Sequence, residues 1–311
     1  MKTIWILNHH AIPPSIGGGT RHYDLSRELV KRGYCVYIFA SSFIHYQYYN
    51  VLGEEEKTRE ESIDGIHWIW VNTRSYQGNG KDRVLGMVDY YRAMMKIYPD
   101  YPKPDIVIGS SVHLLACVAG YIVSRKLNER FISEIRDLWP ETLIELGSLK
   151  RNGAVARLMF GLEKYVYKRS ERIIVTMPGI VDYIENKGID RKRIQYINNG
   201  VDTKAFDERK QKYGLNDTTV RFDDQVFNVV YMGAMGTANA LDTLIDSARL
   251  IMDKEMPEIQ FTLVGNGPLA ESLKRKAAAY RLQNIRFFSS VAKQYVPGVL
   301  SNADCLIFSA N

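Results

Sequence analysis

The stretch TIWILNHHAIPPSIGGGTRHYDLSRELVKRGYCVYIFASS, residues 3–42, decides the fold. It contains an apolar strand at residues 3–8, the glycine run at 17–19, an amphipathic helix at 20–32 and a second apolar strand at 35–42. Two apolar strands separated by an amphipathic helix predict one β-loop-α-β unit. The chain therefore begins as a nucleotide-fold half.

The same alternation restarts late in the chain. From Phe227 onward the strands FNVVYMG, IQFTLVG, NIRFFSS and DCLIFSA are separated by helical segments, and the sequence ends at Asn311. A parallel strand that is buried on both faces needs a crossover helix after it. We therefore expect a second half that is incomplete, in a chain that is truncated at its C-terminus and is inactive by itself.

The domain organisation follows from the strands and helices that alternate between the two halves. They predict an α/β protein with two Rossmann-like domains, each a doubly wound parallel sheet with right-handed crossovers. The boundaries predicted are a first domain at 1–205, a linker at 206–225 and a partial second domain at 226–311. The linker is assigned because that stretch is polar and charged and has no apolar periodicity.

Composition bounds the partners and the compartment. The 311 residues carry 41 Lys and Arg against 35 Asp and Glu, a net charge of +6 that suits anionic ligands or an anionic membrane surface but is too small to predict nucleic-acid binding. Cys35, Cys117 and Cys305 lie inside apolar patterns, which predicts buried thiols in a reducing compartment. No signal peptide and no apolar stretch of about 18 residues is found. A cytoplasmic location is expected.

The glycine run Gly17, Gly18 and Gly19 is the first candidate site. It lies between the first strand and the first helix, where backbone N–H groups and the positive helix end can hold a phosphate. The alternative is a tight turn that needs glycine for its backbone. The GxGxxG spacing and a following acidic residue are missing, which disfavours a dinucleotide.

Further candidates follow two strands of the first half. His113 comes just after the strand ending GSS. Glu134, Arg136 and Asp137 end a later strand, and Trp139 follows them in the sequence. The carboxyl ends of parallel strands are where ligands of open α/β folds bind. The alternatives are a helix-cap or core role for the histidine and a surface ion cluster for the charged residues.

Small-residue turns follow two strands of the second half. One contains Gly233, Gly236 and Thr237, and the other is the run Gly265, Asn266 and Gly267. Such turns permit close approach of a nucleotide, although any β-to-α turn favours glycine. Their occurrence on adjacent strands strengthens the prediction of a nucleotide site.

Two other features are interpreted conservatively. His9 and His10 do not predict a metal site, because neighbours in a strand point to opposite faces and no matching Cys, Asp or His set follows. The segment at 153–172, which mixes basic and aromatic residues, is interpreted as a core-packed helix with a solvated basic face, with a membrane-surface helix as the alternative.

Taken together, these segments resemble glycosyltransferase family 4, whose fold is GT-B: two Rossmann-like domains that face each other across a cleft. The matching pieces are 17–42, 170–202, 230–251 and 261–277, and NNGVD at 198–202 is the most specific of them. RSYQGNGKDRVLGMVDYY at 74–91 and SEIRDLWPETLIELG at 133–147 resemble the branch that builds bacterial capsule, O-antigen or other exopolysaccharide repeats.

The resemblance implies a retaining transferase that uses a nucleotide-sugar, here expected to be UDP-linked, and needs no cofactor or metal. It implies that the second-half turns bind the donor, whose diphosphate reaches the glycine run, and that the acceptor is a glycan, expected to be lipid-diphosphate-linked, at the inner membrane face. His113, Arg136 and Asp137 would be catalytic. The acceptor-side residues implied are Tyr76, Asn79, Arg83 and Glu134.

Two departures from the family pattern are visible. The segment GAMGTANAL at 233–241 lacks the Arg and the Lys-Gly pair that many members carry there, and the family's spaced pair of glutamates would fall beyond residue 311. Two alternatives remain open at this point. One is a nucleotide-sugar 2-epimerase of the same fold, which would alter the sugar without an acceptor, and the other is a non-catalytic partner or remnant protein.

Overall fold

A computed structural model describes residues 1–16, 18–45, 47–78, 80–254 and 258–309. The chain divides into two compact units, Met1–Gly200 and Val201–Asn311. Each unit contains a mainly parallel sheet flanked by helices. The α/β class with two Rossmann-like parallel-sheet domains is confirmed.

The first unit is built on one large sheet. The strands of the unit, in chain order, are β1 (Thr3–Leu7), β2 (Cys35–Ser41), β3 (Phe43–Ile44), β4 (Tyr49–Asn50), β5 (Thr58–Ile63), β6 (Ile66–Val71), β7 (Ile106–Ser110), β8 (Arg130–Ile135), β9 (Arg172–Val175) and β10 (Ile194–Tyr196), of which β3 and β4 form a separate hairpin. Its helices are α1 (Arg21–Lys31), α2 (Lys81–Ile97), α3 (Leu114–Leu127), α4 (Glu141–Glu145), α5 (Ala154–Arg169) and α6 (Gly179–Glu185). The sheet order is β10-β9-β8-β7-β1-β2-β6-β5.

Strand β1 shows why this sheet is wound on both sides. Ile4 and Ile6 pack into one core with Tyr23 of α1, whereas Trp5 and Leu7 pack into a second core that includes Tyr90 of α2. Alternate side chains of a strand point to opposite faces, so a strand that is apolar at every position requires cover on both. The sequence pattern of β1 thus dictates helices on both faces of the sheet.

The strand order reverses direction at β1. The chain runs from β1 outward to β2 and β6, then returns across the sheet to place β7 on the other side of β1. Such a switch point leaves a crevice at the carboxyl ends of the two strands, where ligands of open α/β sheets bind. In this unit the residues that follow β1 and β7 are Asn8–His10 and Ser111–His113.

The segment between β2 and β6 differs from the sequence expectation. The polar composition of residues 43–64 predicts a loop, but the described part of this segment includes the β3–β4 hairpin and the edge strand β5, which pairs antiparallel with β6. The sequence of β5, TREESI, is mostly polar because an edge strand exposes one face and needs charge to prevent association. The sequence of β5 therefore has no apolar pattern from which a strand could be predicted.

The second unit contains a four-stranded parallel sheet in the order β13-β12-β11-β14. The strands are β11 (Phe227–Met232), β12 (Ile259–Val264), β13 (Ile285–Phe288) and β14 (Cys305–Leu306), and the helices are α7 (Thr203–Lys212), α8 (Leu241–Asp253), α9 (Ala270–Ala279) and α10 (Val296–Ser301).

The predicted linker at 206–225 is structured, and the units divide at residue 200 rather than at the predicted end of the first domain, 205. Helix α7 packs against α10, and Val220 is fully buried with Val264 and Val299. The missed signal is Asp202, whose side chain accepts a hydrogen bond from the Ala205 amide at 2.9 Å and caps α7.

The three cysteines differ in burial. Cys117 is buried, Cys35 is half-buried and Cys305 is exposed on β14, so the prediction of three buried thiols is wrong for Cys305. Within the described ranges, no helix is both long enough and apolar enough to cross a membrane.

Candidate functional site

The switch point begins with a turn directly after β1. Asn8 accepts a hydrogen bond from the His10 amide through its Oδ1 atom at 2.8 Å, and its Nδ2 donates to Ser110 Oγ at 2.9 Å. The Ser41 amide donates to the His9 carbonyl at 3.1 Å. These bonds fix the backbone of the two histidines, whose ring centroids are 4.5 Å apart.

His113 completes a cluster with this pair. It lies between β7 and α3, and its ring centroid is 4.9 Å from that of His9 and 5.9 Å from that of His10, nearly perpendicular to both. One ring nitrogen from each residue lies within 4.8 Å of the others. We call His9, His10 and His113 the histidine cluster.

The reason for rejecting a metal at His9 and His10 is therefore wrong. Strand β1 ends at Leu7, so strand alternation does not apply to the pair, and the turn places both rings near each other. His113 supplies the third imidazole, from about a hundred residues further along the chain. Only the topology of the sheet brings it there.

Several predicted acceptor-side residues surround the histidine cluster. Arg83, near the start of α2, lies close enough to lower the pKa of all three histidines. Its guanidinium carbon lies over the Trp139 ring, 6.0 Å from the ring centroid. The ring of Tyr76 is 5.5 Å from that of His45, which lies 5.9 Å from His10. Asn79 lies outside the described residues.

Burial controls the protonation of the cluster. Loss of hydration holds the pKa values of His9, His10 and His113 well below their usual range, and the neighbouring rings and Arg83 lower them further. The rings are therefore neutral near pH 7. Burial also raises the pKa of Asp137, an effect that the adjacent Arg136 opposes.

Glu134 serves a different purpose from the one expected. It is 3% exposed, and its carboxylate accepts hydrogen bonds from Arg21 Nε at 2.9 Å and Ser110 Oγ at 2.6 Å, while His22 Nε2 lies at 2.8 Å. Burial alone would raise its pKa, but His22 and Arg21 hold the pKa well below its usual range. These contacts make Glu134 a positioning residue rather than an open acceptor contact.

Arg21 extends this network to the far end of the sheet. Its guanidinium donates to the Asn198 carbonyl at 2.5 Å and to the Ile197 carbonyl at 2.8 Å, both just after β10. Arg21 is the first residue of α1, and Thr20 alone separates it from the glycine run. The network thus anchors the start of α1.

The glycine run divides into described and undescribed parts. Gly17 lies outside the described residues. Gly18 has φ +84°, and a Cβ there would lie 2.9 Å from Ile12, so the position requires glycine for both reasons. Gly19 is exposed, with open space around the position of a Cβ. Its surroundings leave room for a ligand at the start of α1.

The two turns of the second unit pack directly on each other. The Met235 amide donates to the Asn266 carbonyl at 2.9 Å. A Cβ at Gly265 would lie 1.9 Å from the Gly233 oxygen, and a Cβ at Gly267 would lie 2.4 Å from the Met235 oxygen. The glycines at 265 and 267 are therefore required by the contact between turns. Asn266 Nδ2 donates to Ser290 Oγ at 2.8 Å, and Gly236 and Thr237 start a short 3₁₀ turn.

Sequence reasoning named His113, Arg83, Arg136 and Tyr76 as candidates but did not name His9, His10 or Arg21, which lie in the same part of the unit. The rule that selected His113, a position at the carboxyl end of a strand, also applies to His9 and His10 and would have identified them. Arg21 carried no such signal, because its partners are separated from it by more than a hundred residues.

Two family models match the chain. The model described as Glycosyltransferase Family 4 matches residues 16–205, and the model described as Glycosyl transferases group 1 matches residues 212–311. Together they span both compact units.

Two curated relatives are similar to the chain. A probable glycosyltransferase of Pseudomonas aeruginosa, WbjE, is 19% identical over 216 residues, covering 68% of this chain and 53% of the relative. A putative colanic acid biosynthesis glycosyl transferase of Escherichia coli K12, WcaI, is 23% identical over 208 residues, covering 65% and 50%. The matched part is thus about half of each relative.

Solved structures share the fold. Sucrose-phosphate synthase from Thermosynechococcus elongatus superposes with TM-score 0.73 at 18% identity, covering 99% of this chain and 75% of that one. The Anabaena protein HepE, solved in complex with UDP, superposes with TM-score 0.66 at 13% identity, covering 100% and 74%. The matches named here give no support to a nucleotide-sugar epimerase.

Proposed function

The chain belongs to glycosyltransferase family 4, and from that premise we propose that the protein transfers a sugar from a nucleotide-sugar to a glycan acceptor with retention of anomeric configuration, in bacterial surface polysaccharide synthesis. The observation that carries this proposal is that His113 and Arg136 follow the neighbouring strands β7 and β8, with Arg83 of α2 close enough to lower the pKa of His113. This is the ligand-binding edge of an open parallel sheet.

In the proposed reaction the first unit binds and orients the acceptor. Arg83 and Arg136 provide positive charge for a diphosphate on the acceptor, and the neutral ring of His113 is available for a hydrogen bond to a sugar hydroxyl. Asp137, whose pKa is raised by burial, lies beside Arg136 and completes this group. Orientation of the acceptor hydroxyl lowers the barrier by avoiding an entropic cost at the transition state.

The proposed donor is a UDP-linked sugar. Its binding to the second-unit turns is supported by the small residues there and by the fold shared with HepE, which was solved with UDP. Charge develops on the leaving diphosphate, and backbone N–H groups at a helix start are suited to stabilise such charge. The transfer step itself is proposed to need no cofactor.

A lipid-diphosphate-linked acceptor requires access to a cytoplasmic membrane surface. Helix α5 presents two exposed apolar side chains, Val155 and Leu158. Arg157, which stands between them in the sequence, is also exposed. Apolar side chains flanked by basic residues bind the interface of anionic bilayers. We propose that α5 makes the peripheral membrane contact.

A donor panel tests the proposed function. The full-length protein is incubated with UDP-, GDP-, ADP-, dTDP- and CMP-linked sugars, with and without a polyprenyl-diphosphate-linked sugar, and released nucleotide is measured. We expect release from one class of donor, accelerated at least about 10-fold by the acceptor. Sugar alteration without an acceptor, or no release from any donor, would contradict the proposal.

A further inference from the structure

We propose that His9, His10 and His113 form a binding site for one transition-metal ion of the zinc class. The proposed transfer reaction needs no ion and assigns no role to His9 or His10, and the metal site shares only His113 with it. It rests on the arrangement of three imidazoles at the switch point.

The geometry fits an ion with a small movement of the rings. One nitrogen from each ring lies within 4.8 Å of the others. Tetrahedral zinc with bonds of about 2.0–2.1 Å to imidazole requires nitrogen separations of about 3.4 Å. The nitrogens must approach one another by at most about 1.4 Å, which is within the reach of side-chain rotations. The backbone of His9 and His10 is already fixed by Asn8 and Ser41.

The ring nitrogens also lack protein partners. His9 Nδ1, His10 Nε2 and both nitrogens of His113 are buried, and none has a hydrogen-bond partner among the described residues. A buried polar atom without a partner costs about 1–3 kcal/mol. A metal ion bound to three of these nitrogens would remove that cost at several atoms at once.

The donor set selects the kind of ion. Three neutral imidazoles suit zinc, copper and nickel, whereas magnesium and calcium require oxygen ligands. The positive charges of Arg83 and Arg136 lie near the histidine cluster and repel a cation, which lowers the affinity of the cluster for a metal ion. A fourth position left open by three ligands can take water or an anion, and an anion there would offset this charge.

The test uses protein without a histidine tag. The protein is dialysed against a small excess of Zn²⁺, then against metal-free buffer, and bound zinc is measured by mass spectrometry. Titration with Co²⁺ gives a second readout, since tetrahedral Co²⁺ has strong visible absorption bands. We expect one ion per chain and tetrahedral bands.

Matched variants locate the site. His9→Ala and His10→Ala should each weaken Co²⁺ binding at least about 100-fold, while His67→Ala should not, because His67 lies on β6 and pairs with Glu60. If His9→Ala does not fold, His10→Gln, at a half-buried position, takes its place. Unchanged binding in both cluster variants, or wild-type protein that retains no zinc and shows no tetrahedral bands, would overturn the proposal.

Discussion

Glu134 shows how one buried carboxylate organises the first unit. It joins β8 to Ser110 at the end of β7 and to Arg21 and His22 at the start of α1. Neutralising it by Glu134→Gln leaves Arg21, itself 7% exposed, without its charged partner. We expect a loss of about 3 kcal/mol in the free energy of unfolding of the first unit, measured by urea denaturation at pH 7.

Glu171→Gln is the control for this change, because the Glu171–Arg130 pair is exposed and should contribute at most about 1 kcal/mol.

The stability that Glu134 contributes depends on pH with a defined sign. The folded-state pKa of Glu134 lies below its unfolded value, so its contribution is present above about pH 4.3 and is lost as the pH falls further. A difference between wild type and Glu134→Gln that grows at acidic pH would argue against this role.

Asp137 gives the residue-level test of the acceptor site. It is half-buried beside Arg136, and burial raises its pKa, so truncation relieves an unfavourable charge rather than breaking a core contact. Asp137→Ala should lower sugar transfer about 100-fold and change the free energy of unfolding by less than about 0.5 kcal/mol. Asp207→Ala, at an exposed position on α7, should change neither transfer nor stability; full activity in Asp137→Ala would remove this residue from the site.

At the scale of elements, the paired turns of the second unit depend on glycine for contact. A Cβ at Gly265 would lie 1.9 Å from the Gly233 oxygen, so Gly265→Ala must separate the turns. We expect a loss of about 1–3 kcal/mol, seen as a melting temperature lower by several degrees in calorimetry.

Gly236→Ala is the matched control, because the nearest atom to its Cβ would be 3.9 Å away. It should unfold within about 0.5 kcal/mol of the wild type. Equal stability of the two variants would mean that the contact between the turns is unimportant.

Helix α5 gives the test of membrane contact. Burying one leucine is worth about 1.5–3 kcal/mol, so Leu158→Glu should weaken binding to vesicles of anionic phospholipid at least about 10-fold in a sedimentation assay. Leu250→Glu is the control, since Leu250 is similarly exposed on α8 of the other unit. Equal binding by both variants would exclude α5 as the contact.

The sequence predicted those elements whose signal is local. The apolar runs of β1 and β2 and the amphipathic α1 were assigned within one or two residues, because burial on both faces leaves an unbroken apolar pattern. The edge strand β5 and the helix α7 escaped, because the polar edge strand and the exposed α7 have no such pattern. The histidine cluster escaped for another reason, since it depends on β7 returning to lie beside β1.

For the whole molecule, family membership and fold rest on matches that together span both units. The alternating strands and helices predicted two nucleotide-fold halves, and segments such as NNGVD at 198–202 predicted the family. What the sequence alone did not supply is the convergence of Arg83, His113 and the residues after β1, which the order of strands produces.

One measurement tests the central claim, transfer with retention, most directly. The protein is incubated with the donor that the panel identifies and its acceptor, and the anomeric proton of the transferred sugar is observed by NMR. The account predicts a product joined to the acceptor with the anomeric configuration of the donor. An inverted configuration, or a sugar altered without transfer, would contradict it.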